Sequence, residues 1–544
     1  MIRLSDLTLP LDHTPEALDA AIADRLGVAP ERILRSQMVR RGNDARKRGA
    51  IKLVYVFDIE LDDEAEVLAR LDGDSHVRPA PDTAYRPPVM APEGWAGDKD
   101  GTRPVVIGAG PCGLLAALIL AEMGLKPIII ERGTAVRERT KDTWALWRKH
   151  KLSPESNVQF GEGGAGTFSD GKLYSRIKDP RHLSRKVLTE FVKAGAPDDI
   201  LYEAHPHIGT FRLVTMVISM RETIEALSGE YRFQTRVSDF DIKDGALVGL
   251  HLVSTKDGAE SYLPARHCVL APGHSSRDTF EVLHQRGVFM EAKPFAIGVR
   301  IEHPQSWVDK ARYGACAGHP VLGAAAYAIS HQASNGRAVY SFCMCPGGRV
   351  VAATSEEGRV VTNGMSQYSR AEFNANSGLV VTVDPGKDYP ADPLAGIEFQ
   401  RKWESLAFAA GGGDYCAPGQ KVGDFLAGRA SSGDFGAVKP SYQPGVKLTD
   451  LSACLPDYVL DAIREALPVF GRQIPMYDHP DVIMTGVETR TSSPLRITRG
   501  KDFQSLNTRG LYPAGEGAGY AGGILSAAVD GIKVAEALAV EVLK

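Results

Sequence analysis

The amino-acid sequence predicts an α/β protein in which one parallel sheet is assembled from two distant parts of the chain. Residues 104–133 place an apolar strand, a glycine-rich turn, an apolar helix and a second apolar strand in succession. Residues 511–538 repeat a strand, a glycine loop and an apolar helix. Between them, residues 291–480 contain short β-like runs separated by polar loops. These observations predict a Rossmann-type domain (residues 104–290 and 481–544) interrupted by an inserted, mixed β-rich substrate domain.

Composition narrows the class of protein. The chain has 544 residues, of which 43% are hydrophobic and 24% charged, as expected for a globular protein of several domains. Its net charge of -4 provides no general attraction to nucleic acid or to an anionic membrane. The seven cysteines are scattered and form no C-x-x-C pair, so we expect neither a disulfide framework nor a metal site. Without a recognisable signal peptide or membrane span, the sequence favours a cytoplasmic location.

The first part of the chain predicts a small α+β domain, residues 1–77. Alternating apolar residues at its start indicate a strand, and Thr14 followed by Pro15 indicates a helix start. Residues 51–59 alternate apolar and polar side chains, which is typical of a half-buried strand. Five prolines without periodicity predict a linker over residues 78–103.

A basic segment lies within this first domain. We interpret it as a solvated hairpin loop, and the alternative is contact with the phosphates of RNA or of a ligand. No aromatic residues interleave the charges to form a stacking platform for bases. The basic residues are Arg40, Arg41, Arg46, Lys47 and Arg48.

The first glycine stretch reads GAGPCG and has the G-x-G-x-x-G spacing of a dinucleotide-binding turn. Gly108 permits the tight turn after the strand, Gly110 permits close approach to a pyrophosphate, and Gly113 permits close packing of helix on sheet. The helix start offers free N–H groups to phosphates. Glu131, about 20 residues further on, is placed to accept hydrogen bonds from a ribose diol and to repel a 2′-phosphate.

Two further loops are predicted to reach the same ligand. The segment NVQFGEGGAGTFSDGKL contains four glycines and is anchored by apolar residues at both ends. We interpret it as backbone that wraps a flat or phosphorylated ligand, with a flexible surface loop as the alternative. The strand that begins at His267 ends in Pro272 and Gly273, which predicts a position at the carboxyl edge of the sheet.

The return segment distinguishes between dinucleotides. Its loop, AGEGAGYAGGI, precedes an apolar helix, so a second helix N-terminus is predicted to face the ligand. Glycine loops from both ends of a long chain favour FAD over NAD, because FAD needs one loop at its pyrophosphate and another beside its ribityl chain and flavin. Glu516 is placed to accept a hydrogen bond from a ribityl hydroxyl.

Several motifs together resemble a known family. In order, they are GAGPCGLLAAL with IIIERG, QFGEGGAGTFSDGKL, LAPGHSSRDTF, KPFAIGVRIEHPQ, SFCMCPGGRVVAATSE, VVTNGMSQYSR, ETRTSSPLRI and YPAGEGAGYAGGI. They resemble the uncharacterised FAD-dependent dehydrogenases of bacteria and plastids, whose FAD domain is of the glutathione-reductase-like type. The resemblance covers most of the chain, including NDARKRG in the first domain, but it implies no particular substrate.

The resemblance also implies which residues contact FAD, and it refines the predicted fold to a glutathione-reductase-like FAD-binding Rossmann domain. Val237 resembles the strand position whose backbone meets adenine. The implied contacts are Gly108, Gly110, Pro111, Cys112, Gly113, Glu131, Arg132, Gln159, Gly161, Gly163, Gly164, Ala165, Gly166, Thr167, Val237, Ala271, Pro272, Gly273, Gly515, Glu516, Gly517, Tyr520, Gly522, Gly523 and Ile524.

Candidate residues for the chemistry are fewer. Cys343 and Cys345 form a C-x-C pair, and a regular strand would point both side chains to one face. They are either a redox pair or two small residues of the core. Arg300 and Glu302 share a strand face and either bind an anionic substrate or form an ordinary ion pair. Arg490 lies in a polar run that either lines the substrate side or forms a hydrogen-bonded loop.

Two histidines adjoin these candidates. His303 follows the strand that carries Arg300 and Glu302. His274 follows Gly273 and is a candidate acid or base, although a lone histidine is more often structural.

The favoured hypothesis is an FAD-dependent oxidoreductase that passes a hydride between FAD and a small substrate. Because the sequence offers no separate NAD(P)H-binding domain, NADH or NADPH is expected only as a transient donor at the flavin face. The alternatives are a flavin-dependent RNA-modifying enzyme, with the basic segment as docking arm, and a non-enzymatic flavin-bound redox sensor with an unknown redox partner. We expect no membrane association.

Overall fold

A four-stranded antiparallel sheet with two helices forms the amino-terminal part of the protein. The computed structural model describes residues 1–47 and 49–544, so Arg48 of the predicted basic loop lies outside the described residues. The strands stand in the order β2-β3-β1-β4. The elements are β1 (Ile2–Pro10), α1 (Pro15–Leu26), β2 (Ile33–Asp44), β3 (Lys52–Leu61), α2 (Glu64–Arg70) and β4 (Val77–Pro79).

Local sequence signals of this part are confirmed, with one correction. The Thr14 hydroxyl accepts a hydrogen bond from the Ala17 backbone N–H at 3.3 Å and caps α1 as predicted. The predicted basic loop is shorter, because Arg40 and Arg41 lie in β2 and pair with β3. Arg41 also forms an ion pair with Glu203, so its charge is already neutralised within the chain.

A five-stranded parallel sheet follows, beside a three-stranded antiparallel meander, β10-β9-β8. The parallel strands of this segment are β5, β6, β7 and β11. The elements of the segment are β5 (Val105–Ile107), α3 (Pro111–Glu122), β6 (Ile128–Ile130), α4 (Val136–Lys149), α5 (Leu183–Lys193), α6 (Thr210–Ala226), β7 (Glu230–Arg232), β8 (Thr235–Lys243), β9 (Ala246–Ser254), β10 (Glu260–Pro264), β11 (Cys268–Leu270), α7 (Arg277–Gln285) and β12 (Met290–Ala292). Arg232 ends β7 in the parallel sheet, three residues before the meander begins at Thr235.

The predicted linker joins these two parts more closely than expected. Its first residues, Arg78 and Pro79, extend β4 against β1. Further along, Tyr85 and Trp95 pack against the apolar cluster beneath α3 and α12 of the parallel-sheet domain (α12 is Ile524–Val542). The predicted linker is therefore attached to the first domain at its start and to the parallel-sheet domain further along.

A seven-stranded sheet forms the β-rich part of the molecule. Its order is β14-β15-β18-β13-β21-β19-β20, with β16 and β17 as a separate hairpin. The elements are β13 (Phe295–Pro304), α8 (Gln305–Tyr313), β14 (Ser330–Gln332), β15 (Ala338–Cys345), β16 (Gly348–Ala352), β17 (Thr362–Ser366), β18 (Asn374–Val383), α9 (Ala395–Gly411), β19 (Ala417–Lys421), α10 (Val422–Leu426), β20 (Val446–Leu448), α11 (Asp457–Gln473) and β21 (Ile483–Glu488).

Two features of this part differ from the sequence-based expectation. Strand β21 pairs with β13, so the sheet extends to Glu488, past the expected boundary at residue 480. Helices α9 and α11, each of 17 residues, were not predicted individually. Both carry buried apolar residues on one side, but glycine-rich and proline-containing surroundings obscure that pattern in the sequence.

The chain then returns to the parallel sheet. The last elements are β22 (Leu495–Ile497), β23 (Leu511–Pro513) and α12 (Ile524–Val542). Strand β23 pairs in parallel with β11, which completes the order β23-β11-β5-β6-β7, and the predicted strand and helix of the return segment are confirmed. Helix α12 packs on α3, where the α carbon of Gly531 approaches the Cys112 carbonyl too closely for any side chain.

The parallel sheet is covered on both faces. Alternate strand residues enter an apolar cluster with α3, α5, α6 and α12 on one side and a cluster with the meander and α7 on the other. The order of strands reverses at β5, because the chain runs from β5 through β6 to β7 and then crosses to β11. Loops at the carboxyl ends of β5 and β11 therefore diverge and leave a crevice. Among the described helices, none combines the length and apolar character needed to cross a membrane.

Candidate functional site

A cavity of about 390 Å³ opens at this crevice and continues to the β-rich sheet. Its walls come from the loops after β5, β6 and β11, from the start of α12, and from β15, β17 and the segment after β21. Segments far apart in sequence thus meet around one space. Its position at the switch point of the parallel sheet is where ligands bind in open α/β sheets.

The first glycine turn has the geometry that a dinucleotide turn needs. Gly108 has a φ of +95°, and a β carbon there would collide with the Ala271 carbonyl. A β carbon on Gly113 would collide with the Gly108 carbonyl, which explains glycine at the helix–sheet contact. No side chain caps α3 at Gly110, so the first N–H groups of the helix face the cavity.

Glu131 connects this turn to the second glycine loop. One carboxylate oxygen accepts a hydrogen bond from the Ala109 N–H, and the other accepts bonds from Gly133 and Gly161, each at 2.9 Å. The side chain is 5% exposed and lines the cavity. Three of about four acceptor positions on the carboxylate are therefore used within the chain, and one is left for a ligand.

The second glycine loop is held by a residue that the sequence-based reasoning missed. The fully buried guanidinium of Arg139, on α4, donates to the carbonyl groups of Asn157, Val158 and Glu162 at 2.6–2.8 Å. A buried arginine that binds backbone carbonyls fixes the loop without a carboxylate partner. The loop then approaches the first turn, where a β carbon on Gly164 would lie 2.8 Å from the Gly110 α carbon.

The end of the cavity beneath β6 is lined by Val237 and Arg132. Arg132 lies over the Phe160 ring at 4.2 Å and forms ion pairs with Glu155 (2.7 Å) and Asp278 (2.8 Å). Its charge is thus balanced by the protein, and the side chain serves as a wall rather than as a free phosphate ligand.

The opposite end of the cavity is polar. Cys343 and Lys172 line it, and the Lys172 ammonium forms no ion pair with any residue that the structure describes. Glu516 also lines this end, and its carboxyl group accepts no hydrogen bond from residues 1–47 and 49–544. Burial raises the pKa of Glu516 to about 7. This region therefore offers a cation and a carboxyl group that exchanges a proton near neutral pH.

Arg300 and Glu302 do not reach the cavity, although the sequence nominated both. Arg300 is fully buried and binds Glu488 through two hydrogen bonds of 2.8 Å. Glu302 is also fully buried and accepts hydrogen bonds from the Asn374 side chain and from the Ser441 backbone N–H. Arg300 therefore forms a buried ion pair, but its partner is Glu488, and Glu302 forms no ion pair with any residue that the structure describes. Arg300 nevertheless positions Glu488, which lines the cavity.

Arg490 lines the cavity but belongs to a buried ion network. It donates to both carboxylate oxygens of Glu404, at 3.0 and 2.9 Å, and to the Ser275 hydroxyl at 3.1 Å. Arg277 binds the same carboxylate at 2.7 Å. This arrangement favours a role in fixing the loop after β11 over direct binding of a substrate.

His274 stands at the end of that loop, with Nδ1 3.0 Å from the Ser275 hydroxyl. Burial, together with the charges of Arg490 and Arg277, lowers the pKa of His274 to about 3. The imidazole is therefore neutral at physiological pH.

We expect this histidine to destabilise the protein in mild acid. Because its folded pKa is below its ordinary value, its stability contribution is complete above about pH 6.5 and is lost as the pH falls toward 3. Relative to His274→Asn, the wild type should lose about 2 kcal/mol between pH 7 and pH 5. Thermal unfolding across this range measures the difference, and the exposed His284→Asn serves as control. Parallel profiles for wild type and His274→Asn would contradict the expectation.

Most of the predicted FAD contacts line the cavity. Those that do not are structural neighbours of the lining: Gly113, Gly163, Thr167, Gly517 and Tyr520. The Tyr520 hydroxyl accepts a hydrogen bond from the Arg499 backbone at 3.0 Å, outside the cavity. The residues that line it are Gly108, Gly110, Pro111, Cys112, Glu131, Arg132, Gln159, Gly161, Gly164, Ala165, Gly166, Val237, Ala271, Pro272, Gly273, Gly515, Glu516, Gly522, Gly523 and Ile524.

Among the chemical candidates, Cys343 and Arg490 line the cavity. Cys345 lies beneath the surface and not on the same face, because a bulge interrupts the strand between Phe342 and Cys345. The sequence-based reasoning missed Lys172, although it ends the glycine segment GTFSDGK and is the first basic residue after the glycines.

One group of potential metal ligands lies away from this cavity, although the sequence suggested no metal site. Donor atoms of His150, Asp414 and Cys416 lie within 4.8 Å of one another. His150 directly follows α4, and Asp414 and Cys416 lie two residues apart in the loop after α9.

Comparison with known proteins identifies the family. A family described as "FAD-dependent protein, C-terminal domain-like" matches residues 294–491, an "FAD binding domain" matches residues 102–143, and a domain of unknown function matches residues 1–60. An uncharacterised protein of Clostridium beijerinckii is 48% identical over 536 residues, which cover 98% of either chain. The chain belongs to this family of FAD-dependent proteins. FAD is accordingly the cofactor that the cavity has to accommodate.

Solved structures resemble this family member weakly. A flavin-dependent brominase, Bmp2, is 14% identical, with a TM-score of 0.37 over 81% of this chain and 80% of that one. A flavocytochrome c3 fumarate reductase is 12% identical, with a TM-score of 0.36 over 81% of this chain and 79% of that one.

The residues of the cavity fit FAD. Two helix N-termini without side-chain caps, those of α3 and α12, open onto it. The glycines at positions 108 and 164 leave backbone surfaces that any β carbon would obstruct. Glu131 keeps one acceptor position at the end nearest β6. The polar end lies beyond the start of α12, within the β-rich part of the molecule.

Proposed function

We propose that this FAD-dependent protein is an oxidoreductase that transfers a hydride between bound FAD and a small substrate held at the Cys343 end of the cavity. One observation carries the proposal: the crevice of the parallel sheet and the polar end of the β-rich sheet form a single cavity. A cofactor that extends along the crevice would present its far end to Lys172, Cys343 and Glu516.

The parallel domain supports a glutathione-reductase-like arrangement of FAD. Its five parallel strands are accompanied by a three-stranded antiparallel meander between β7 and β11. The return strand β23 and helix α12 bring a second uncapped helix N-terminus to the cavity. In this arrangement, the loop after β5 would hold the pyrophosphate, Glu131 the ribose, and the segment 515–524 the ribityl chain.

The residues at the polar end suggest how a substrate is held. When bound, FAD supplies two-electron hydride chemistry, and the protein supplies orientation and electrostatics. The Lys172 ammonium is available to bind an anionic group. Glu516, with its raised pKa, holds a proton in part of the molecules at neutral pH. Two hydrogen bonds from Arg300 fix the Glu488 carboxyl group at the cavity wall, although burial raises the pKa of that group.

Absorbance spectroscopy of freshly purified protein tests the proposal. We expect a flavin band at about 450 nm, with about one FAD per chain, that bleaches when NADH or NADPH is added without oxygen. Protein that remains colourless after incubation with FAD would contradict the proposal. Protein that binds FAD and is reduced by dithionite, as a positive control, but not by NADH, NADPH or other hydride donors, would contradict the oxidoreductase assignment alone.

A further inference from the structure

The strand that carries Cys343 is distorted at the cavity. The β15–β18 pairing shifts register between Phe342 and Cys345, and Cys343 has a φ of +42°. This left-handed conformation is unusual for a residue with a side chain. It is held in place by Arg300, whose Nη1 donates to the Cys343 carbonyl at 2.9 Å. The bulge turns the Cys343 side chain into the cavity. In a regular strand, Cys343 and Cys345 would instead lie on the same face.

Cys345 lies directly behind this bulge. Its side chain is fully buried, and its thiol lies 3.4 Å from the Cys343 carbonyl oxygen. A β carbon on Gly364 would lie 3.0 Å from the Cys345 sulfur, so glycine at that position leaves room for it. The two cysteines are therefore adjacent but not equivalent, because only Cys343 meets the cavity.

The surroundings favour the charged form of the outer cysteine. A hydrogen bond from the Cys345 thiol, with the nearby charges of Lys172 and Arg300, lowers the pKa of Cys343 well below its usual range. The hydrogen bond to Cys343, together with burial, raises the pKa of Cys345, which favours the protonated form of the inner thiol. An accessible thiolate thus stands before a protonated, shielded thiol.

We infer that Cys343 and Cys345 are the attacking and resolving thiols of a thiol–disulfide exchange centre. The inference rests on the proposed function in placing the substrate at this end of the cavity, and it names the substrate class as a small disulfide. In the first step, the Cys343 thiolate forms a bond to one substrate sulfur, the substrate S–S bond breaks, and one thiolate leaves. In the second, Cys345 gives up its proton and attacks the Cys343 sulfur, which releases the second thiolate.

The electrons and atoms balance in this sequence. The substrate disulfide gains two electrons and becomes two thiolates, while the cysteine pair loses two electrons and becomes a disulfide. The single proton released is that of the Cys345 thiol.

Oxidised glutathione is a direct probe of this chemistry in the FAD-loaded, reduced-thiol protein. After incubation, peptide mass spectrometry of the wild type should find Cys343 and Cys345 joined, with no glutathione retained on either. The Cys345→Ser variant should instead retain about one glutathione per chain on Cys343, because no resolving thiol is present. The Cys343→Ser variant should retain at least about tenfold less glutathione at residues 343 and 345 than the Cys345→Ser variant does.

Cys416 provides the matched comparison within the same chain. It is also half-buried, but it does not line the cavity, and no other cysteine lies near it in the sequence. We therefore expect it to react more slowly than Cys343 in the wild type, and Cys416→Ser to leave the joined pair unchanged. An unlinked pair in the wild type, or equal modification of Cys343 and Cys416, would overturn the inference, with no need for any variant to fold.

The two proposals fail separately. Protein that binds FAD and bleaches with a nucleotide but forms no Cys343–Cys345 link refutes only the exchange centre. Protein that links Cys343 to Cys345 but never binds FAD refutes the proposed oxidoreductase. The thiol reaction would then be unconnected to a flavin, and the inference that a small disulfide is the substrate would fail with it.

Discussion

Replacing Gly164 with alanine is expected to weaken FAD binding at least about tenfold, which corresponds to about 1.4 kcal/mol. Gly164 has a φ of +61°, where a side chain is disfavoured, and its β carbon would lie 2.8 Å from the Gly110 α carbon. The only relief is movement of one glycine loop away from the other. That movement would open the crevice at the point where both loops face the cofactor.

The measurement is the dissociation constant of FAD from the FAD-depleted variant, followed by quenching of flavin fluorescence. Gly195→Ala is the matched control, because Gly195 has a φ of +97° but its β carbon meets no atom within 4 Å, and it does not line the cavity. The control should lose stability from backbone strain while it keeps its FAD affinity. Equal affinities in the Gly164→Ala variant and the wild type would show that the two loops do not jointly grip the cofactor.

Replacing Glu404 with glutamine is expected to destabilise the protein by about 3–5 kcal/mol. Glu404 is fully buried and accepts hydrogen bonds from Arg277, Arg490 and the Thr489 hydroxyl. Although burial raises the pKa of this carboxyl group, the charges of Arg277 and Arg490 outweigh it and hold the pKa below its ordinary value. Glutamine keeps the size of the side chain but removes the negative charge between two buried guanidinium groups.

Chemical and thermal unfolding of the FAD-loaded protein measure this effect. Glu398→Gln is the matched control on the same helix, since Glu398 is 68% exposed and pairs with Arg401 at the surface. We expect the control to change stability by no more than about 0.5 kcal/mol. A Glu404→Gln variant as stable as the control would mean that Glu356 alone balances both arginines.

Features that depend on neighbouring residues were predictable from the sequence. The Thr14 cap of α1 needs only the residues of its own helix start. The turn at Gly108 and the strands around it follow from a few consecutive residues, because backbone conformation and apolar runs are local properties. Glu131 was predicted to face the ligand, but the three backbone N–H groups that it binds became evident only in the folded chain.

Features that depend on partners distant in sequence were not predictable. Glu404 lies on an unpredicted helix, and its arginine partners come from residues 277 and 490. Arg139 is one basic residue in a charged helix, and nothing in its surroundings in the sequence signals that its guanidinium holds a glycine loop. The C-x-C pair was noticed, but a regular alternation of side chains predicted one shared face. The bulge that separates Cys343 from Cys345 depends on pairing with β18.

The position of β11 has a consequence for how the protein matures. This strand lies between β5, near the start of the parallel domain, and β23, near the end of the chain. While a ribosome is still making the β-rich part, β11 has one neighbour only, and its other edge remains open to misassembly. Until residues 511–542 have been made, the crevice also lacks the wall that the start of α12 provides, so we expect an incomplete chain to hold the coenzyme more weakly than the folded protein.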